Sequence, residues 1–197
     1  MSDPDLLLRV ENLRAGYRQP VVGPVSLTLR RGERLGMSGA NGSGKSTLLK
    51  AIARAAQVFS GHIERAPAVQ VAYLEQQPVR LAAMPITGQE LLRVAGATRF
   101  PPPAGLAGLL KRRLDRLSGG QYQLLWIWCA LASAADVVLL DEPTNNLDPT
   151  HCAMLSALLQ CLCDEQALLI VSHDREFLMK SCTRQLELDW VQSRRVG

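Results

Sequence analysis

Two rhythms of apolar and polar residues run along this chain. The first is strand-like: LLLRVENL and VVGPVSLTL open the sequence, and in the second Val25, Leu27 and Leu29 alternate with polar or small neighbours, the period of a half-buried strand. Arg31–Glu33 reads as a tight turn, and RLGMSG as a short buried strand ending at Gly39. A helical run follows from Lys45 to about Ala56, then a strand over Val69–Gln76. Further on, helices (QYQLLWIWCALASAA, HCAMLSALLQCLCDE, REFLMKSC) alternate with apolar strands (DVVLLDEP, ALLIVSHD) and a last short strand, RQLELDW. Continuously apolar strands interleaved with helices predict an α/β fold with a mainly parallel sheet flanked by helices on both faces.

Between Pro78 and Leu117 the rhythm breaks. This stretch holds PPP (Pro101–Pro103), AGLAGLLKRRL and a short helix around TGQELLRVA with Thr87 as its cap. It predicts a small helical subdomain at about 78–116, set into a core of about 1–77 and 117–197 within a single domain, 1–197.

Composition narrows the class. A 47% hydrophobic, 20% charged chain is globular. Its net charge of +4 is too small to name a nucleic-acid partner, and none is expected, though it suits a place near an anionic membrane face. The five cysteines, Cys129, Cys152, Cys161, Cys163 and Cys182, read as reduced thiols of a cytosolic protein. Cys161 and Cys163 have no partner pair at zinc-binding spacing. MSDPDLLLRV carries acids where a signal peptide needs a basic region, and no run approaches the roughly 18 apolar residues of a membrane span.

Three motifs carry chemistry. Gly39-Ala40-Asn41-Gly42-Ser43-Gly44-Lys45-Ser46, followed by Thr47, fits G-x-x-x-x-G-K-[ST] between a strand and a helix. Its glycines let backbone N–H groups close around phosphate oxygens at the positive end of the helix. Lys45 can reach the outer phosphates, and Ser46 can ligate Mg²⁺. VVLLDEP ends an apolar strand on Asp141 and Glu142, at the end of a parallel sheet where ligands bind; Asp141 is placed to hold Mg²⁺ and Glu142 to polarise a water. LSGGQ puts Ser118, Gly119, Gly120 and Gln121 before a long helix, which reads either as a second anion-binding corner or as an ordinary helix cap.

With LSGGQ lying between the glycine loop and LLDEP, the chain resembles the ATP-binding cassette (ABC) ATPases over nearly its whole length. The resemblance implies a P-loop NTPase fold with an antiparallel β edge, and ATP and Mg²⁺ as cofactors. Tyr17, in RAGY, matches the aromatic that stacks on adenine; taken alone it reads equally as a half-buried strand residue. Gln76 matches the glutamine that senses metal and γ-phosphate, with Gln77 as the alternative. Asn145–Asp148 matches the D-loop, and His173 the switch histidine that touches the γ-phosphate. The family mechanism implies a second copy of the chain, or a paralogous cassette, whose LSGGQ closes over ATP held by the glycine loop. ATP would hold the pair shut and hydrolysis would open it. The chain departs from the family after LSGGQ, where Leu124 and Cys129 stand at the usual arginine positions and leave the signature helix without its salt-bridge support. Trp126 and Trp128 in the same helix read as packing residues.

Two kinds of cassette protein fit. One is the ATPase subunit of a membrane transporter, cytoplasmic and held to the inner membrane face by transmembrane permease subunits that dock beside Gln76 and the helical insertion. VAYLEQQPVRLAAMPITGQELL is similar to ATPases of zinc and manganese uptake systems, which implies a metal ion as cargo. The other is an ABC-F-like cassette acting on the ribosome, to which PTNNLD and VSHDREFL are similar, although that group carries two cassettes in one chain.

Overall fold

The computed structural model describes residues 3–76, 85–160 and 165–188 and contains two sheets. Strands β1 (Leu6–Gly16) and β2 (Pro20–Arg30) form an antiparallel pair. Strand β3 (Arg34–Ser38) leads through the glycine loop into helix α1 (Lys45–Ile52). Strand β4 (Gln57–Arg65) then returns to pair antiparallel with β1, giving the order β2-β1-β4. The second sheet is parallel. It joins β3 to β5 (Val71–Leu74), β6 (Val137–Asp141), β7 (Ala167–Val171) and β8 (Arg184–Glu187) in the order β5-β6-β7-β3-β8.

The alternate side chains of β6 and β7 enter different cores, which is why these strands read as unbroken apolar runs. Val137, Leu139, Leu169 and Val171 face the layer made by the antiparallel sheet and by Leu48 and Leu49 of α1. Val138, Leu140, Leu168 and Ile170 face the layer of the remaining helices: α2 (Gly88–Val94), α3 (Ala104–Leu110), α4 (Gly119–Leu131), α5 (Pro149–Gln160) and α6 (Arg175–Ser181). The predicted helix behind Thr87 is α2. Thr87 closes a capping box with Glu90, its side chain accepting from the Glu90 N–H while the Glu90 carboxylate accepts from the Thr87 N–H. The described residues contain no helix long and apolar enough to cross a membrane.

Three differences from the sequence reading have physical causes. First, α1 stops at Ile52, not at about Ala56. Arg54 adopts a left-handed φ of 63°, and the N–H groups of Arg54 and Ala55 donate to the carbonyls of Ala51 and Lys50, a Schellman closure built without glycine. Second, that early stop frees the chain for β4, which the sequence reading missed. β4 is exposed along most of its length, Val58 and Phe59 included, so it lacks the in–out alternation that marks a half-buried strand. Third, α4 starts at Gly119, earlier than QYQLLWIWCALASAA implies, because Ser118 caps it, and it ends at Leu131 with Ala132 as its C-cap. Trp128 is buried and Trp126 half-buried against the helical layer, as packing residues should be. Gln77, Cys161 and Cys163 lie outside the described residues.

Candidate active site

Four segments leave the same edge of the parallel sheet. After β3 comes the glycine loop; after β5, Glu75 and Gln76; Asp141 is the last residue of β6, and Ser172 and His173 follow β7. Val171 pairs in register with Met37 on one side and with Asp141 on the other, so the ends of β3, β7 and β6 lie in one row. Sheet order therefore gathers residues that stand far apart in sequence, at the strand ends where α/β folds bind ligands.

Gly44 is the N-cap of α1, with φ 91° and no side-chain cap bond. The first-turn N–H groups are thus left for a ligand. Lys45 is buried, and its Nζ donates to the carbonyls of Gly39 (2.8 Å) and Ala40 (3.0 Å), folding the loop over its own lysine. The Ser43 hydroxyl is buried with no hydrogen-bond partner among the described residues. An orphan hydroxyl, a free helix start and a lysine resting on carbonyls together fit a polyphosphate.

On the acidic side, the Ser46 hydroxyl donates to Oδ1 of Asp141 at 2.9 Å, and the Tyr73 hydroxyl donates to Oδ2 at 3.2 Å. Burial raises the pKa of Asp141, and these two hydrogen bonds oppose the rise by favouring the carboxylate. Burial also pushes the Tyr73 hydroxyl well above the ordinary phenol range. The Ser46 and Asp141 oxygens are hard donors of the kind Mg²⁺ takes. Glu142, next along, is buried with a left-handed φ of 48°. The strain of such a backbone, about 1–3 kcal/mol, is held by its N–H donating to the Val171 carbonyl and by its own carbonyl accepting from Asn145 N–H. Its Oε2 accepts from the His173 N–H at 3.2 Å and lies 2.9 Å from His173 Nδ1. The His173 ring is mostly exposed.

These groups frame a cavity of about 580 Å³. Asn41, Gly42, Gly44, Lys45, Ser46 and Thr47 form one wall; Gln76, Glu142, Asn145 and His173 face them. A hollow of about 370 Å³, lined by Ser46, Lys50, Glu75, Gln76 and Asp141, opens on the acidic side, where Lys50 pairs with Glu75 at 2.5 Å. Gly39, Ala40 and Ser43 form the loop behind this wall. Tyr17 stands just past the end of β1, 53% exposed, and lines neither cavity; it is a surface residue, not a half-buried strand residue. The sequence reading missed Tyr73 and Lys50. Their only signal was a tyrosine in an apolar strand and a lysine one helical turn after Ser46, neither unusual by itself.

Ser118, Gly119, Gly120 and Gln121 also lie apart from both cavities. Ser118 caps α4, and its side chain and that of Gln121 close a capping box at 3.3 and 3.2 Å. Arg112 donates to Gln121 Oε1 (3.2 Å) and to the Arg116 carbonyl (2.7 Å), while Leu124 and Cys129 are buried in the core. Gln123, two residues further into α4, donates to the carbonyl of Pro143 (2.9 Å), which joins the signature helix to the segment that carries Glu142.

Residues 22–145 match the family model described as ABC transporter. This chain belongs to the ABC transporter family. It is an ATP-binding, ATP-hydrolysing cassette, the subunit whose turnover is coupled to transport. Relatives of this ABC cassette include proteins named zinc import ATP-binding protein ZnuC. That of Marinobacter nauticus is 32% identical over 96% of this chain and 76% of its own length, and that of Jannaschia sp. is 35% identical over 93% and 79%. Among solved structures, a putative metal-chelate type ABC transporter in an inward-facing conformation is 26% identical, with a TM-score of 0.75 over 93% of this chain and 80% of that one. A putative ABC transporter ATP-binding protein from Pyrococcus furiosus shares the fold at 21% identity, with a TM-score of 0.75 over 92% and 96% of the two chains.

Proposed function

We propose that the 580 Å³ cavity takes the triphosphate of ATP and that its residues divide the work of hydrolysis. The observation that supports this most is the convergence of Lys45, Ser46, Glu142 and His173 on one hollow, from three different strand ends. On this reading the loop from Gly39 to Thr47 cradles the phosphates, and Lys45 trades its two loop carbonyls for phosphate oxygens. Ser46 and Asp141 would hold Mg²⁺ with Gln76 beside them; when bound, the ion neutralises charge on the outer phosphates. Glu142 orients a water and takes its proton, while His173, bonded to the same carboxylate, faces the γ-phosphate. Tyr17 stacks on adenine from the rim.

The signature corner serves a second cassette. Ser118, Gly119, Gly120 and Gln121 do not reach the cavity of their own chain, so they are free to complete the site of a second copy, or of a paralogous cassette, in a head-to-tail pair. Transmembrane permease subunits hold the pair at the inner face of the membrane and dock beside Gln76 and the helical segment, about 78–116. The cargo is a metal ion, zinc being the one named by the relatives. Those relatives match over most of their own length and are named for zinc import, which disfavours the ABC-F-like role on the ribosome. Affinity purification of the tagged chain from its own cells tests the choice. Recovery of a membrane permease, with loss of zinc uptake when Glu142 is replaced by Gln, is the expected result; recovery with ribosomes and no permease would refute it.

A further inference from the structure

We infer that Tyr73 is a positioning residue for the metal-side carboxylate, fixing the plane of Asp141 from a neighbouring strand. The inference rests on the reading of Asp141 as the residue that holds Mg²⁺. β5 and β6 are parallel neighbours, with Tyr73 opposite Leu139 and Leu74 opposite Leu140. A tyrosine on that face leans along the strand direction and spans the two residues from Leu139 to Asp141. Its ring packs half-buried against the core shared with Leu139 and Val171, so the hydroxyl is held at the strand end.

Asp141 is 3% exposed and must find its partners within the protein. Among the described residues it has two, on different oxygens and from different elements: Ser46 of α1 on Oδ1 and Tyr73 of β5 on Oδ2. One donor alone leaves a carboxylate free to turn about its last torsion, whereas two donors on opposite oxygens fix its plane. The lone pairs not engaged then keep one direction toward the hollow shared with Ser46 and Gln76. Tyr73 also stands three residues before Gln76, so β5 carries the brace on Asp141 and the segment that leaves it carries the glutamine.

Tyr73→Phe removes the hydroxyl and keeps the ring that packs. ATP affinity is measured by calorimetry in Mg²⁺ and again in EDTA, and Mn²⁺ binding to the protein–ATP complex is followed by the electron paramagnetic resonance of the free ion. A bond of 3.2 Å is long for a hydroxyl and a carboxylate, which sets the effect at the low end for hydrogen bonds to charged groups. The divalent-ion concentration at half-saturation should rise about tenfold, with ATP affinity in EDTA unchanged within about twofold. A half-saturation equal to wild type overturns the inference, as does an equal loss of ATP affinity with and without metal, which is what a merely structural hydroxyl would give. Asp141→Asn separates the two levels. If it abolishes metal dependence while Tyr73→Phe leaves the half-saturation at the wild-type value, only the inference about Tyr73 fails; if it too leaves metal dependence intact, the reading of Asp141 fails and takes the inference with it.

Discussion

Replacing Gly44 by alanine puts a β-carbon where the glycine loop turns into α1. The backbone there has φ 91°, and the new atom would lie 2.6 Å from Val22 Cβ and 3.0 Å from the Val21 carbonyl oxygen. The left-handed conformation alone costs an alanine about 1–2 kcal/mol. Carbon atoms rest about 3.5–4.0 Å apart, so the contact with Val22 forces the loop or β2 to move, at a further cost of about 1–3 kcal/mol. Gly42→Ala is the matched control: its φ is 80°, but none of the described residues lies within 4 Å of the added carbon. It should incur only the backbone cost. At about 2–4 °C of melting temperature per kcal/mol for a chain of this size, Gly42→Ala should melt about 2–8 °C below wild type and Gly44→Ala about 4–20 °C below it. Scanning calorimetry of the nucleotide-free proteins reads the difference. Equal melting of the two variants would refute the claim that β2 packs directly beneath the phosphate loop, and a wild-type melting temperature for Gly44→Ala would refute the conformation itself.

Glu142→Gln keeps the shape of the buried side chain and its acceptor for the His173 N–H, but removes the proton acceptor. Steady-state phosphate release should fall by about 10²–10⁴-fold with ATP affinity retained, and light scattering should find an ATP-bound dimer; an active variant contradicts the assignment of the base. Burial pushes the Cys129 thiol up to about 12 and that of Cys182 up to about 11. At pH 8 their thiolate fractions are on the order of 10⁻⁴ and 10⁻³. Iodoacetamide should therefore leave both unlabelled in the native protein and label both in urea, read by peptide mass mapping. Rapid native labelling of either would contradict the packing of α4 and α6.

The centre of the parallel sheet was legible because β6 and β7 are apolar on both sides, and a run such as VVLLD allows few other readings. The phosphate loop was legible because three glycines, a lysine and a serine at fixed spacing have one economical use. What was not legible lay in single residues whose conformation depends on neighbours distant in sequence. Arg54 ends α1 in a left-handed turn that sequence rules reserve for glycine, and without that stop β4 has no place to begin. Arg112 braces Gln121 from the helical segment, a contact that only the folded chain brings into reach. Tyr73 looked like one more apolar strand residue until the pairing of β5 with β6 set it beside Asp141. Ser118 carried two readings, cap and anion-binding corner. The cap is formed, and the anion-binding role belongs to the proposed pairing with a second cassette.

Calorimetric titration of ATP into Lys45→Ala tests the central claim, that the terminal phosphates sit at the start of α1 and take over the lysine now bonded to Gly39 and Ala40. Two charge-assisted hydrogen bonds predict an affinity about 10²–10⁴-fold weaker than wild type, with the fold intact by circular dichroism. Wild-type affinity in the folded variant would contradict it.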